Sequence, residues 1–404
     1  VTAYWFSRPA PSAARTTIPV FSALERKRYP PIISCSMLFC KSEHCGMPRE
    51  HMLLSVQEDT DKKVVEATMR AIVEKEHGDP EVLTLSEVPI PAPAPGQVLV
   101  RVHAAGLNRA DSLQRRGHYP PPAGASSVYG LEIAGVVEAV GEGVDPTLVG
   151  ERVMALLAGG GYAEYAAVDV RHTLPVPKGM SMVEAACIPE VAATVYSNLV
   201  LLCGMSLDPA QNNPAEDEQT SLLVHGGTGG VGMHAIQLAR AAGVRVFATV
   251  GDDEKAQVVR ALGAHPINYR TESFRQVIQR ESAGHGVNYI LDVVGAKYLE
   301  DNLRSLADGG HLATIAVQGG RRAELDLGLM LTKRLSVHGT SLRSRSADEK
   351  AKIMAGVNEN VLPLLERGVL LANLDREFPW WQASQAHEYC HVGQHRGKVV
   401  LRVM

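Results

Sequence analysis

The chain has 404 residues, of which 45% are hydrophobic and 21% are charged, and its formal net charge is -4. This length and composition predict a large core divided between two domains. Lysine and arginine are spread along the sequence, so no basic stripe indicates nucleic acid as a partner. Six cysteines are too few and too unevenly placed for a disulfide framework, which favours a reducing compartment, the cytoplasm. No apolar run approaches the length that spans a bilayer, so no membrane span is expected.

Residues 1–68 precede the globular pattern, which begins at Met69, and are interpreted as an N-terminal extension. The first 47 residues are rich in Arg, Ser, Thr and Pro and contain only Glu25 and Glu43 as acids. This composition is typical of an organelle transit peptide, which would make the location mitochondrial. Upstream sequence from a gene model and a disordered tail are the alternatives. Cys35, Cys40 and Cys45 lie here at spacings that fit no zinc pattern.

Short strands and turns dominate the region from Met69 to about Val176, with glycine and proline punctuation throughout. The Pro-rich link at 89–96 is excluded from a central sheet. The region is therefore predicted to be a β-rich domain. Its predicted strands are 69–73, 98–104, 135–141 and 151–157.

From Ser221 the pattern changes to buried strands that alternate with amphipathic helices, which predicts a doubly wound parallel sheet and an α/β fold class. A helix at 348–366 and a closing strand at 398–403 are expected to return to the first domain. The acidic, Pro/Asn-rich stretch 208–220 is predicted to be a surface loop. The predicted strands of the parallel sheet are 221–225, 245–250, 266–269, 287–294, 311–317 and 335–339.

A glycine-rich turn, Gly226-Gly227-Thr228-Gly229-Gly230-Val231-Gly232, follows the first strand of this sheet and precedes a helix predicted at 233–242. We call Gly227-x-Gly229-x-x-Gly232 the glycine fingerprint. Its glycines permit a tight turn and let the backbone approach a pyrophosphate, while the helix N-terminus presents free N–H groups to the anion. The strand, turn and helix together predict dinucleotide binding.

The end of the second parallel strand bears on the choice between NADPH and NADH, because its side chains meet the adenosine ribose. Asp252 or Asp253 would accept hydrogen bonds from a free 2′-hydroxyl, whereas Lys255 would attract a 2′-phosphate. A third alternative is that all three form a solvated helix start, with acids at its positive end. The sequence favours NADPH as the cofactor, with NADH as the alternative.

Several motifs together resemble the zeta-crystallin-like quinone oxidoreductases, a zinc-free branch of the medium-chain dehydrogenase/reductases. The resemblance extends from Met69 to the C-terminus. It implies a GroES-like catalytic domain (69–190 plus 340–404) split around a Rossmann domain (191–339), an NADPH cofactor in the cleft, and a homodimer. The motifs include Leu107-Asn108-Arg109-Ala110-Asp111, Gly117-His118-Tyr119-Pro120, Gly130-Leu131-Glu132, Ile188-Pro189-Glu190, Ser341-Leu342-Arg343 and Gly397-Lys398-Val399-Val400-Leu401.

The resemblance also implies site residues. Asn108 and Asp111 would lie beside the nicotinamide, and Tyr119 would line the substrate pocket, where its hydroxyl meets a developing oxyanion. A capping role for Asp111 and a packing role for Tyr119 are the alternatives. The residues expected to hold the cofactor are Asn108, Thr194, Gly227, Gly229, Gly230, Val231, Gly232, Gly251, Asp252, Lys255, Tyr269, Val317, Ser341, Leu342 and Arg343.

Zinc alcohol dehydrogenases of the same superfamily carry Cys at the position of Asn108 and His at the position of Leu131. A catalytic zinc needs three protein ligands, so no metal is expected here. Without a Lewis acid, the hydride acceptor has to be electrophilic already, as a quinone or an enone is. The alternatives are a 2-enal or enoyl-thioester reductase, and a non-catalytic crystallin-like protein that binds NADPH or RNA.

Overall fold

The computed structural model describes residues 67–212 and 219–404. The predicted transit peptide, Cys35, Cys40, Cys45 and part of the predicted loop at 208–220 lie outside the described residues. Within them, the helical run Met182–Leu202 is 21 residues long and apolar enough to cross a bilayer by length and composition. This run was not anticipated from the sequence. Buried residues make up 78% of its most apolar window, as in a core helix of a folded domain.

The strands before Pro175 pair antiparallel, as the β-rich pattern predicts. The second strand includes Pro89, the first residue of the Pro-rich link, and the rest of the link (90–96) lies outside the strands. The second strand and the last two strands of this region were not among those predicted. In chain order the strands are β1 Thr68–Val73, β2 Thr84–Pro89, β3 Gln97–Gly106, β4 Glu132–Val140, β5 Arg152–Leu156, β6 Tyr165–Asp169 and β7 Thr173–Pro175.

The predicted parallel sheet is present in the described residues as six strands in the order β10-β9-β8-β11-β12-β13. All of their pairings are parallel. The fifth strand begins earlier than expected, because Leu306 already pairs with Val287, and it ends at Thr314. Its range therefore leaves Val317 in the following loop. The strands are β8 Ser221–Val224, β9 Arg245–Val250, β10 His265–Asn268, β11 Val287–Asp292, β12 Leu306–Thr314 and β13 Ser336–Gly339.

The helices follow the predicted alternation, with one correction. The helix expected at 348–366 is two helices, because Pro363 has no backbone N–H and is accommodated only in a first helical turn. The described helices are α1 Arg109–Arg115, α2 Met182–Ala185, α3 Pro189–Val195, α4 Pro209–Asn212, α5 Gly230–Ala241, α6 Asp253–Ala261, α7 Phe274–Glu281, α8 Leu299–Ser305, α9 Leu327–Lys333, α10 Ala347–Asn360, α11 Leu362–Glu366 and α12 Ala383–Val392, with a π-helix at Tyr196–Leu202.

The end of the chain returns to the first sheet, as predicted. β14 (Leu374–Pro379) pairs with β15 (Lys398–Arg402), and β15 pairs antiparallel with β3. Just before β15, the Gly397 N–H donates to the Thr228 carbonyl over 2.9 Å. The sheet of the catalytic region therefore meets the parallel sheet at the glycine-rich turn. The predicted domain boundaries at 190 and 340 stay a prediction.

Candidate functional site

The residues predicted to hold the cofactor gather at one edge of the parallel sheet. The glycine-rich turn follows β8, Gly251 and Asp252 follow β9, and Tyr269 follows β10. Val317 follows β12, and the segment from Ser341 to Arg343 follows β13. Because carboxyl ends of parallel strands share one edge, the topology brings these residues together around a single crevice.

The fingerprint glycines have different structural reasons. A Cβ on Gly227 would lie 2.7 Å from the Ala248 Cβ on β9, so strand packing requires glycine there. A Cβ on Gly232 would collide with the Gly226 carbonyl. A Cβ on Gly229 meets no protein atom closer than 3.6 Å. The small size of Gly229 is therefore not required by the protein itself, and it leaves room for a ligand at the start of α5.

The ribose end of the crevice combines a helix cap and a lysine. The Lys255 N–H donates to Asp252 Oδ1 over 2.8 Å, so Asp252 caps α6. The Lys255 ammonium donates to the Gly393 carbonyl over 2.7 Å and lies 3.9 Å from Asp252 Oδ2. A Cβ on Gly251 would lie 2.8 Å from the Tyr269 hydroxyl, so these two predicted residues are in contact.

Asn108 belongs to a buried polar network with Glu132 and Lys398, here called the Lys398 network. The Lys398 ammonium donates to Asn108 Oδ1 over 2.7 Å and pairs with Glu132 Oε1 at 2.5 Å. The Asn108 amide donates to the same Glu132 oxygen over 2.9 Å. Glu132 and Lys398 are almost completely buried. Two charged partners thus fix the orientation of the Asn108 amide, with its oxygen toward the ammonium.

Asp111 is buried at the start of α1 and accepts three hydrogen bonds. They come from the Asn108 N–H at 2.8 Å, the Gly130 N–H at 3.2 Å and the Tyr162 hydroxyl at 3.2 Å. Burial raises the pKa of Asp111 to about 6, although these donors and Lys398 oppose the shift. The geometry favours the capping alternative, in which Asp111 positions Asn108. Its direct contact with a ligand stays a prediction.

Tyr119 and Ser341 come together across 222 positions of sequence. Their hydroxyl oxygens lie 2.9 Å apart. The buried Arg343 side chain supports the pair, since it donates to the Tyr119 carbonyl over 3.2 Å and its guanidinium lies 5.4 Å from the Tyr119 ring centre. Tyr119 is half-buried, so its hydroxyl remains within reach of a substrate. Thr194 and Leu342 are buried, whereas Val317 is exposed.

Comparisons with known proteins agree with this architecture. The family model for the alcohol dehydrogenase GroES-like domain matches residues 94–178, and the model for zinc-binding dehydrogenases matches residues 230–357. A quinone oxidoreductase from Rattus norvegicus is 33% identical over 339 residues, which are 82% of this chain and 97% of that protein. The chain belongs to the quinone oxidoreductase branch of the medium-chain dehydrogenase/reductases.

Two solved structures show how far this chain resembles its relatives. The quinone oxidoreductase of Escherichia coli complexed with NADPH has a TM-score of 0.71 at 28% identity, covering 83% of this chain and 100% of that one. The CurK enoyl reductase has a TM-score of 0.71 at 27% identity, covering 83% and 99%. The fold is therefore shared by reductases with different acceptors.

The two positions where zinc alcohol dehydrogenases carry metal ligands, here Asn108 and Leu131, do not offer such ligands in this chain. Leu131 is a buried aliphatic side chain. Asn108 supplies a neutral amide whose oxygen accepts from Lys398 and whose nitrogen donates to Glu132. A catalytic zinc takes three thiolate, imidazole or carboxylate ligands. The residues present at these positions do not fit it.

The sequence patterns did not single out several residues that the structure places in the site. Glu132 and Lys398 were noticed only as parts of motifs. His395 lies just before Gly397, and its Nδ1 is buried with no hydrogen-bond partner among the described residues. Burial lowers the pKa of His395, and Lys255, Lys398 and Arg109 lower it further while Asp375 opposes them. Three cationic side chains therefore lie near His395, and one of them, Lys398, is paired with Glu132.

Proposed function

We propose that this protein is an NADPH-dependent reductase that transfers a hydride directly to a quinone or a similar conjugated carbonyl, without a catalytic zinc. The observation that carries the proposal is the Lys398 network. It places an amide held by two buried charges where zinc enzymes have a ligand. With no Lewis acid to polarise the acceptor, the substrate has to be electrophilic already, and orientation in the cleft supplies the remaining rate enhancement.

The chain's own residues then have distinct roles. Bound NADPH supplies the hydride. Tyr119, held by Ser341 at 2.9 Å, donates a hydrogen bond to the oxygen that gains negative charge. Asn108 orients the nicotinamide end, and Asp111 keeps the Asn108 backbone in place through its 2.8 Å hydrogen bond. Water supplies the proton that completes reduction to the hydroquinone or saturated carbonyl.

Cationic side chains near the ribose end of the crevice support the choice of NADPH. Lys255 and Arg109 both lie near enough to His395 to lower its pKa, so two cations stand at this end of the crevice. These groups suit the pyrophosphate and the 2′-phosphate, which are the anionic parts of NADPH. The E. coli relative complexed with NADPH agrees with this choice.

An enoyl-thioester reductase is the second candidate, favoured by the likeness to the CurK enoyl reductase. The test is a steady-state panel of quinones, enals and enoyl-CoAs, each with NADPH and NADH. Quinone turnover with a higher kcat/KM than any enoyl-CoA supports the proposal, and the reverse order supports the second candidate. Absence of all turnover in protein that still binds NADPH would instead indicate the non-catalytic crystallin-like role.

Independence from zinc is tested by chelation. Quinone turnover should be unchanged after dialysis against EDTA, because Asn108 and Leu131 cannot complete a catalytic zinc site. Loss of turnover that added zinc restores would contradict the proposal.

We also propose a homodimer formed along β13, the outer strand of the parallel sheet. An outer strand offers unpaired N–H and C=O groups to a second copy. Leu327 and Leu331 of the neighbouring helix α9 are 64% and 80% exposed, which is unusual for large apolar side chains on one helix face. Light scattering should give twice the chain mass, and Leu331→Asp should shift it toward the monomer. An unchanged mass distribution would place the contact elsewhere.

A further inference from the structure

Cys203, His311 and His338 form a cluster on the parallel sheet. One potential ligand atom from each residue lies within 4.8 Å of the other two. His311 is on β12 and His338 on β13, and the register pairs His311 with Ser336 and His338 with Ala313. Both histidines therefore point to the same face of the sheet. Cys203, buried at the end of the π-helix Tyr196–Leu202, approaches them from above that face.

The two imidazoles already point at each other. His311 Nδ1 and His338 Nε2 are 3.2 Å apart, and the rings are coplanar within 5° with centres 5.5 Å apart. The centre-to-centre distance is as long as this N···N distance allows, so both centres and both nitrogens lie on one line. One nitrogen therefore donates to the other. The two nitrogens thus share one proton, which lies between them.

We infer that Cys203, His311 and His338 bind one zinc ion, with the fourth coordination position open. A thiolate and two imidazoles are a ligand set that zinc prefers, at roughly 2.0–2.3 Å. Two imidazole nitrogens of a tetrahedral zinc site lie about 3.3 Å apart, close to the present separation. The metal needs only a tilt of each ring by roughly 35° from the linear arrangement, within the broad range of histidine χ2.

Zinc binding at this cluster should release one proton. The proton shared by the two imidazoles moves to the far nitrogen of its own ring, so the histidine pair stays neutral. The Cys203 thiol loses its proton, and one proton is released for each zinc bound. Because binding releases a proton, zinc affinity should rise with pH.

This site differs from a catalytic zinc site in position and consequence. Its ligands come from the parallel sheet and from the helix that covers it, not from Asn108 and Leu131. Zinc here would join the end of the π-helix to β12 and to the outer strand β13. We therefore expect zinc to raise the melting temperature while quinone turnover continues without it.

The experiment uses the reduced, metal-stripped full chain. Titration with Co²⁺ should give a thiolate-to-cobalt charge-transfer band that saturates at one equivalent, and calorimetry with Zn²⁺ in two buffers should show one proton released. Cys203→Ser and His338→Gln should each weaken binding at least roughly 100-fold. Cys390→Ser, which changes another free, partly buried cysteine, is the matched control and should bind like the wild type.

Three outcomes would overturn the inference. The first is a charge-transfer band that persists in Cys203→Ser, which would place the thiolate elsewhere in the chain. The second is loss of the band in Cys390→Ser. The third is the absence of saturable binding in folded wild-type protein, which would leave His311 and His338 as a simple hydrogen-bonded pair.

Discussion

The glycine-rich turn and the Lys398 network adjoin each other but build their chemistry in opposite ways. In the turn, the groups that meet a ligand are backbone N–H groups, and the side chains are reduced to hydrogen so that the ligand can approach. In the network, three side chains from β4, β15 and the start of α1 hold one another, and backbone groups of Leu107 and Glu190 add hydrogen bonds. The contact of Gly230 with Lys398 shows how closely they adjoin, since a Cβ on Gly230 would lie 2.5 Å from Lys398 Cδ.

The turn and the network depend on the rest of the chain to different degrees. A turn made by consecutive residues needs only local conformation, so it tolerates change elsewhere in the chain. A network made from positions 108, 132 and 398 depends on the whole sheet closing correctly. We therefore expect substitutions in the network to cost stability first and substitutions in the turn to cost cofactor binding first.

The largest expected effect is in the network. Lys398→Met leaves the Glu132 carboxylate buried without its cation, and removing one partner of a buried ion pair costs about 3–5 kcal/mol. Urea unfolding should show this loss, and the double variant with Glu132→Gln should recover part of it because the second charge is gone. A single variant as stable as the wild type would mean that the pair contributes nothing and that the comparison is wrong.

The same contrast explains what the sequence could predict. The fingerprint, its strand and its helix are contiguous, so their pattern predicts both structure and ligand. Asn108 was identified only by resemblance, and its partners Glu132 and Lys398 stayed unrecognised because no local pattern joins residues 24 and 290 positions away. The same reason hid the Cys203 cluster, and no pattern indicated that the His395 Nδ1 is buried without a partner among the described residues. The break at Pro363 was visible in the sequence, but the periodicity on both sides suggested one helix.

Gly229→Val tests the turn. The protein leaves room for the new side chain, so the fold should survive, while the valine occupies space that the pyrophosphate needs. Calorimetry should show NADPH affinity reduced about 100-fold, or about 2.7 kcal/mol. Gly227→Val is the informative partner, because its Cβ would press on Ala248 and should lower the melting temperature instead. Unchanged NADPH affinity in folded Gly229→Val protein would remove the turn from the binding site.

Tyr119→Phe tests whether the hydroxyl pair acts on the substrate. The substitution removes one donor to the developing oxyanion and leaves Ser341 nearby, so kcat should fall about tenfold with little change in stability. A larger change in KM than in kcat would indicate that Tyr119 only shapes the pocket, which is the packing alternative. Ser341→Ala is the control for loss of the partner alone and should lower kcat less.

The smallest expected effect concerns cofactor choice at Lys255. If its ammonium pairs with the 2′-phosphate, Lys255→Ala should raise the KM for NADPH about fivefold, close to 1 kcal/mol for a partly screened ion pair, and barely change the KM for NADH. Because the ammonium also holds the Gly393 carbonyl, equal effects on both cofactors would mean that Lys255 only anchors that loop.

Asp252→Ser sharpens the test, because serine can still cap α6 but lacks the negative charge of the aspartate. It should move preference further toward NADPH. A wild-type enzyme that prefers NADH would make Asp252 or Asp253 the ribose ligand, and would reverse the cofactor choice while leaving the fold and the hydride chemistry in place.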